Sequence, residues 1–267
     1  MAWVEKQVCM DHPKPVAKNR KLTLTQQSIL KCVAGFRFVS AYTCGAFLGV
    51  SRRSASKSLN LLVDHGYVAK RYDTTYRLSH KRAHYCIDTR GMRYVKTLDM
   101  FSEAHIKALY ADRKASDTFV YHSNKVFDIA IKLRDHGLSP DFRICSRSLL
   151  LGYDEFPTPK PDLYIAPTDS DDSNQSFIDI FDNETETWII KKRIRQHVEH
   201  YDSGEWCYLD HPTVVIVLGE GSKAKNQLEK YALRQLDKSW IYDDEMTFIF
   251  TEPATLYAHL SGKHLVE

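Results

Sequence analysis

The sequence predicts a mixed α/β chain built from two modules, and three observations carry that expectation. Its 267 residues exceed the ~100 to 200 typical of one domain. Charge is divided along the chain: residues 1–100 hold 18 Lys and Arg against 6 Asp and Glu, a balance of +12, whereas the remainder holds 19 against 28, a balance of −9. The apolar pattern also changes, from helices and a hairpin to an alternation of strands and helices. With 43% hydrophobic residues, 11 Gly and 9 Pro, the chain is neither disordered nor fibrous. No apolar run reaches the ~18 to 20 residues of a membrane span, and Met1–Lys6 lacks the apolar core of a signal peptide. A cytoplasmic protein without membrane insertion is expected. The six cysteines are scattered without a C-x-x-C pair, which points to reduced packing thiols rather than a zinc module.

The first module is expected over residues 1–115. A basic arm (Lys14, Lys18, Arg20, Lys21) leads into a helix from Thr23, with Ile29, Leu30, Val33 and Phe36 at helical spacing. A second helix fits Ser40 to Leu48 with Ser40 as its cap. Gly49-Val50-Ser51 then turns into a third helix, in which Leu59, Leu62 and Val63 face inward before Gly66. Tyr67–Tyr72 alternates as a strand, and a polar tip and a returning strand to Ile87 complete a hairpin. A closing helix starts near Asp88, and Leu98 to Ser116 reads as a helical connector. Helix, helix, basic helix and hairpin is the order of a winged helix-turn-helix. In that fold the N-terminal end of the third helix enters the major groove of DNA, and it carries Arg52, Arg53, Ser54, Ser56 and Lys57. Lys70, Arg71, Arg77, Lys81 and Arg82 make the hairpin basic as well. Cations on one helix face often do no more than keep it solvated. Basic character shared by arm, helix and wing is instead the footprint of a double-stranded DNA partner.

The second module, residues 116–267, reads as a helix over 118–134 and a β-rich stretch from Phe142 to Leu151. A proline-rich approach (Pro157–Pro161) then precedes a strand from Leu163, and a polar loop over 168–174 precedes the apolar strand Ser176–Asp182. A helix from Glu186 to Tyr201, a strand over 212–219, a helix over 223–236 and a strand over 247–251 follow. This order predicts an α/β sheet with helices on both faces.

Carboxylates at the ends of apolar strands are costly to bury unless they are paired or bound to a cation. Asp162 stands at the mouth of one strand and Asp182 at the exit of the next, a placement suited to Mg²⁺ or Mn²⁺. The plainer readings are a Pro-Asp turn for Asp162 and a helix cap for Asp182. Strict alternation puts Asp179 on the strand face opposite Asp182, so only one of the two can share a site with Asp162, and Asp182 is expected there. On the next helix Ile190, Ile194, His197, Val198 and Tyr201 form one stripe, bordered by Lys191 and Arg195. Lys191 is the cation expected to lean toward the acids. His197 reads either as a packed core histidine or as a donor near phosphate.

With a winged helix in front, then Pro161-Asp162, Ile178 to Glu186, and a Lys/Arg helix ending in Tyr201, the sequence resembles the replication-relaxation family. It is especially similar to MobC-type plasmid mobilisation relaxases, whose C-terminal domain is PD-(D/E)XK nuclease-like, that is, restriction-endonuclease-like. The resemblance implies metal-dependent, strand-specific nicking at a transfer origin during conjugation. It also implies a relaxosome with accessory and coupling proteins. It assigns Asp162 to the first acidic position, Asp182 or Glu184 to the second, and Asp128 as a possible further carboxylate. A D-x-K tripeptide is absent at Asp182-Asn183-Glu184, so Lys191 is assigned the cation, with His197 as a rival. The alternative from a different class is a non-catalytic DNA-binding replication or transcription accessory whose nuclease-like domain is degenerate. A tyrosine-nucleophile relaxase would need a histidine cluster that the sequence does not suggest.

Overall fold

A computed structural model describes residues 21–72, 78, 81–135, 142–168, 175–206, 210–242 and 245–256. The basic arm up to Arg20, the hairpin tip with Arg77, and most of the 168–174 loop lie outside the described residues. The fold is mixed α/β with two sheets. It divides into two compact units, Met1–Phe127 and Asp128–Glu267. The division falls inside a helix, later than the boundary expected near residue 115.

In the N-terminal unit, α1 (Leu24–Phe36) starts from a capping box: the Thr23 hydroxyl accepts from the Gln26 N–H, and the Gln26 side chain accepts from that of Thr23. Ile29, Leu30 and Val33 are buried, as their spacing predicts. Ser40 has two roles. It pairs with His84 as part of the short strand β1 (Val39–Ser40), which the sequence did not announce, and its hydroxyl caps α2 (Ala41–Leu48). A left-handed Gly49 ends α2, and Ser51 caps α3 (Arg52–Asp64), whose Ala55, Leu59 and Leu62 are buried. β2 (Val68–Arg71) and β3 (His84–Ile87) pair antiparallel, and the sheet order is β1-β3-β2.

The closing helix α4 (Thr89–Val95) passes so near the start of β2 that a Cβ on Gly91 would lie 2.0 Å from the Tyr67 carbonyl oxygen. α5 (Glu103–Tyr110), a 3₁₀ turn (Asp112–Lys114) and α6 (Asp117–Asp135) follow. Arg37, held at a positive φ of 66°, ties α1 to this connector. Its Nε donates to Asp112 Oδ1 at 2.8 Å and its Nη2 to the Ala108 carbonyl at 3.0 Å. Burial pushes the Asp112 carboxyl up to about 6, against the pull of Arg37.

The C-terminal unit is built on a five-stranded sheet in the order β4-β5-β6-β7-β8, formed by Phe142–Ser146, Leu163–Pro167, Ser176–Ile180, Thr213–Val217 and Phe248–Thr251. The first two pairings are antiparallel and the last two parallel. Parallel neighbours require crossover helices, here α7 (Thr187–Ser203) between β6 and β7 and α8 (Lys225–Lys238) between β7 and β8. Ile190, Ile194 and Val198 of α7 and Leu228, Ala232 and Leu236 of α8 join one core cluster with Phe177, Val214 and Ile216. Both helices therefore cover the same face of the sheet. Every residue of β6 is buried, so both of its faces are covered.

Candidate functional site

Among the described residues, the charged side chains singled out in the sequence fall into one group in each unit. In the N-terminal unit, the outward face of α3 presents Arg52, Arg53, Ser56, Lys57, Asn60 and Asp64 around an open concavity. Ser54 is exposed with its N–H on the Ser51 hydroxyl, so the helix starts cleanly where the arginines project. On the hairpin, the Lys70 amine lies 5.4 Å from the Tyr72 ring centroid, and Lys81 is exposed. The Arg82 guanidinium stacks 4.7 Å from the centroid of Tyr42, an exposed ring in the first turn of α2. Arg71 departs from the expectation of a DNA contact. Its Nη1 donates to the Ala115 carbonyl at 2.6 Å and its Nη2 to Asp117 at 2.8 Å, so the guanidinium fastens β2 to the start of α6. Arg77 lies outside the described residues.

In the C-terminal unit the expected partnership of Asp162 with Asp182 is corrected. Leu163 pairs with Ile178 and Tyr164 with Phe177, and extending that register by one residue sets Asp162 opposite Asp179. Directly opposed residues of antiparallel strands share a face, so both carboxylates project toward α7. Alternation placed Asp179 correctly relative to Phe177 but is silent on which face of the neighbouring strand Asp162 occupies. Asp182 instead opens the turn after β6: its N–H donates to the Thr185 hydroxyl at 3.2 Å, and its carbonyl accepts from the Thr185 N–H at 2.9 Å. Glu184 is exposed.

Two buried like charges side by side need opposite charge close at hand, and this unit supplies it from two elements. Asp162 Oδ2 accepts from the Ile180 N–H at 2.9 Å, while its Oδ1 lies 3.0 Å from Arg147 Nη2. The same nitrogen stands 3.8 Å from Asp179 Oδ1. Asp179 Oδ2 takes Arg193 Nε at 2.7 Å and His197 Nε2 at 2.6 Å. Arg193 Nη1 also donates to the Pro159 carbonyl, which holds the proline-rich approach against α7. Burial alone would raise the Asp179 carboxyl, but the Arg193 guanidinium and the His197 bond overcome it and hold it well below the usual carboxylate range. Burial holds His197 down to about 4. It is therefore a neutral ring that gives its Nε2 proton to Asp179. The expectation of a packed histidine is met, with an acid as its partner.

Lys191, expected as the cation of the acidic centre, lies elsewhere. Its amine sits 5.3 Å from the centroid of the Tyr231 ring on α8. The cations that reach the acids are Arg147, in the turn after β4, and Arg193. Arg147 had no signal in the sequence. Arg193 had a partial one: it borders the inward stripe of α7 on the His197 side, and an arginine turned inward calls for a buried carboxylate. Asp128 pairs with Lys132 at 3.4 Å across one helical turn of α6.

A divalent cation could enter this centre only by displacing Arg147. Asp162 Oδ1 is paired with Arg147 and the second oxygens are held by Arg193, His197 and the Ile180 N–H, whereas Asp179 Oδ1 has no hydrogen-bond partner and lies 3.8 Å from Arg147; a metal ion there would sit against two guanidinium charges. Among the described residues no group of three or more His, Cys, Asp or Glu is arranged to hold a metal, and no helix is long and apolar enough to cross a membrane. Comparison with protein-family models, curated proteins and solved structures finds no match to this chain.

Proposed function

We propose that this protein is a duplex-DNA-binding accessory, with a winged helix-turn-helix in its N-terminal unit and a nuclease-like C-terminal unit that does not cleave. The element order α1-β1-α2-α3-β2-β3 and the exposed cations at the start of α3 support the DNA-binding half of this reading. One observation carries the non-cleaving half: Asp162 and Asp179, the opposed acids of β5 and β6, are neutralised from within by Arg147 and Arg193. Two residues after Asp179, where a D-x-K motif would set its lysine, stands Phe181. The acidic pair then holds the unit together, and its role is assembly on DNA rather than strand scission.

A metal-dependent nicking relaxase is the second reading, and one observation favours it. Arg147 is 40% exposed, so it is the cation that a Mg²⁺ or Mn²⁺ ion could displace to reach Asp162. Relaxosome accessory and coupling proteins would then be its partners. The test is to incubate supercoiled plasmid carrying candidate origin DNA with the protein in Mg²⁺, Mn²⁺ or EDTA, beside a duplex-binding titration. Salt-dependent binding without relaxed circles is the expected result. Metal-dependent relaxed circles that vanish in Asp162→Asn would overturn it in favour of the relaxase. Arg52→Ala with Arg53→Ala should weaken duplex binding by roughly 1–3 kcal/mol if either side chain makes a bidentate base contact.

A further inference from the structure

The C-terminal unit is acidic, with 15 Lys and Arg against 25 Asp and Glu, but its charge is unevenly placed. α7 and α8 carry eight cations against four acids, and the rest of the unit carries seven against twenty-one. Arg193 is spent on Asp179. The others project away from the sheet, because the core-facing stripes of the two helices are Ile190, Ile194 and Val198 and Leu228, Ala232 and Leu236.

Helical geometry groups them. Trp188, Lys192 and Arg195 lie together on the flank of α7 turned away from its core stripe, and half-exposed Lys191, three and four residues from Trp188 and Arg195, borders that stripe on the side toward α8. Tyr231, Arg234 and Lys238 recur at spacings of three and four along one flank of α8. The two flanks adjoin, since the Lys191 amine rests over the Tyr231 ring at 5.3 Å. Trp188 is 63% exposed in the first turn of α7, so the face of its indole is open among the described residues. Among the described residues Lys191, Lys192, Arg195, Arg234 and Lys238 have no carboxylate partner, in contrast with Arg147 and Arg193, which do.

We propose that the α7–α8 face, centred on Trp188, Lys191, Lys192, Arg195, Tyr231 and Arg234, is a binding surface for single-stranded DNA. Unpaired strands are held by cations that follow the phosphates and by aromatic faces on which bases stack. This face offers both within two helices of an otherwise acidic unit that repels a polyanion elsewhere. A duplex keeps its bases stacked internally, so it could use the cations but not the indole. The surface belongs to the other unit from α3, and only the duplex arm of its test rests on the winged-helix reading.

The test is fluorescence anisotropy of full-length protein with a labelled oligo(dT) of about 20 nucleotides, at low and moderate salt. Lys192→Ala with Arg195→Ala should weaken oligo(dT) binding at least tenfold and flatten its salt dependence. Trp188→Ala should weaken it by about tenfold, while Trp188→Phe retains most of it, as stacking of a base on an aromatic face requires. Duplex binding should be unchanged in all three, and Arg52→Ala with Arg53→Ala should show the converse pattern. Because every altered side chain is exposed, circular dichroism should match the wild type. Oligo(dT) binding that survives the double substitution would overturn the proposal. Equal loss of duplex and oligo(dT) binding, or indifference to Trp188→Ala, would also overturn it, by making the face a general anion surface.

Discussion

The two units bury the same kind of ionic contact and treat it in opposite ways. In the N-terminal unit Asp112 has one cation, Arg37. Burial wins there, and its carboxyl is pushed up to about 6. In the C-terminal unit Asp179 has Arg193, His197 and the more distant Arg147, and the partners win. Charge survives burial when enough donors converge on it, not when one strong donor is present. The N-terminal unit can therefore discard a charge in acid, whereas the C-terminal unit depends on keeping one.

Deleting a partner in each setting gives the largest contrast. Arg193→Leu leaves Asp179 buried beside a neutral ring and should destabilise the C-terminal unit by about 3–5 kcal/mol. Urea unfolding followed by tryptophan emission reads this, since three of the four tryptophans lie in that unit. Adding Asp179→Asn should restore at least half of the loss. An additive double variant would show that Arg193 and Asp179 are not coupled.

Acid should separate the two units next. In the unfolded chain histidine takes up a proton near pH 6.5. In the folded C-terminal unit burial delays this to about 4 for His197 and about 3 for His211. Stability from these rings is complete above pH 6.5 and falls as pH drops toward 4, by up to ~1.4 kcal/mol per pH unit for each ring. Asp112 works in the other direction. It protonates near 6 when folded and near 3.8 when unfolded, so the N-terminal unit gains stability as pH falls between those values. His84, lowered by partial burial, offsets part of that gain. Limited proteolysis at pH 7.5, 6 and 5, with fragments assigned by mass, should show cleavage rising in the C-terminal unit first. Equal rates across the two units would break the comparison.

Gly91→Ala probes the other side of it, a unit limited by close backbone approach rather than by charge. The added Cβ has no space beside the Tyr67 carbonyl, and overpacking of this kind costs roughly 1–3 kcal/mol. Thermal unfolding should shift for the N-terminal unit and leave the C-terminal transition in place. The smallest effect is expected from Asp128→Ala. Its exposed pair with Lys132 is worth about 0.3–0.5 kcal/mol, and DNA binding should not change. A large loss there would assign Asp128 a role beyond its helix.

Much of the fold was legible because local chemistry states it directly. Thr23, Ser40 and Ser51 announce three helix starts, Gly49 announces a stop, and the apolar run of Val214 to Val217 announces a buried strand. The acidic centre was only half legible. Asp162 stands out because a carboxylate after Pro161 precedes an apolar strand. Its partner depends on strand register, which is set by side chains far apart in the chain, and no periodicity within β5 or β6 reports it. Lys191 borders the inward stripe on the side that faces α8, and periodicity alone does not report which neighbour a border residue meets. Arg193 borders the stripe on its other side, beside His197, and there the neighbour is Asp179.

The β5–β6 register also bears on how the sheet avoids misassembly. Strands as apolar as Leu163–Ala166 and Phe177–Ile180 can slide past one another with little loss of hydrophobic contact. A slip by one residue would set Asp162 against Ile178 or Ile180 and turn one carboxylate to the face without arginines. Asp179 would then be buried without Arg193, or Asp162 without Arg147, at a cost comparable to the stability of the whole unit. The four charged residues thus act as an alignment key, accepting one of several apolar registers and rejecting the others. The lock closes only when the turn after β4 and the helix after β6 have both docked.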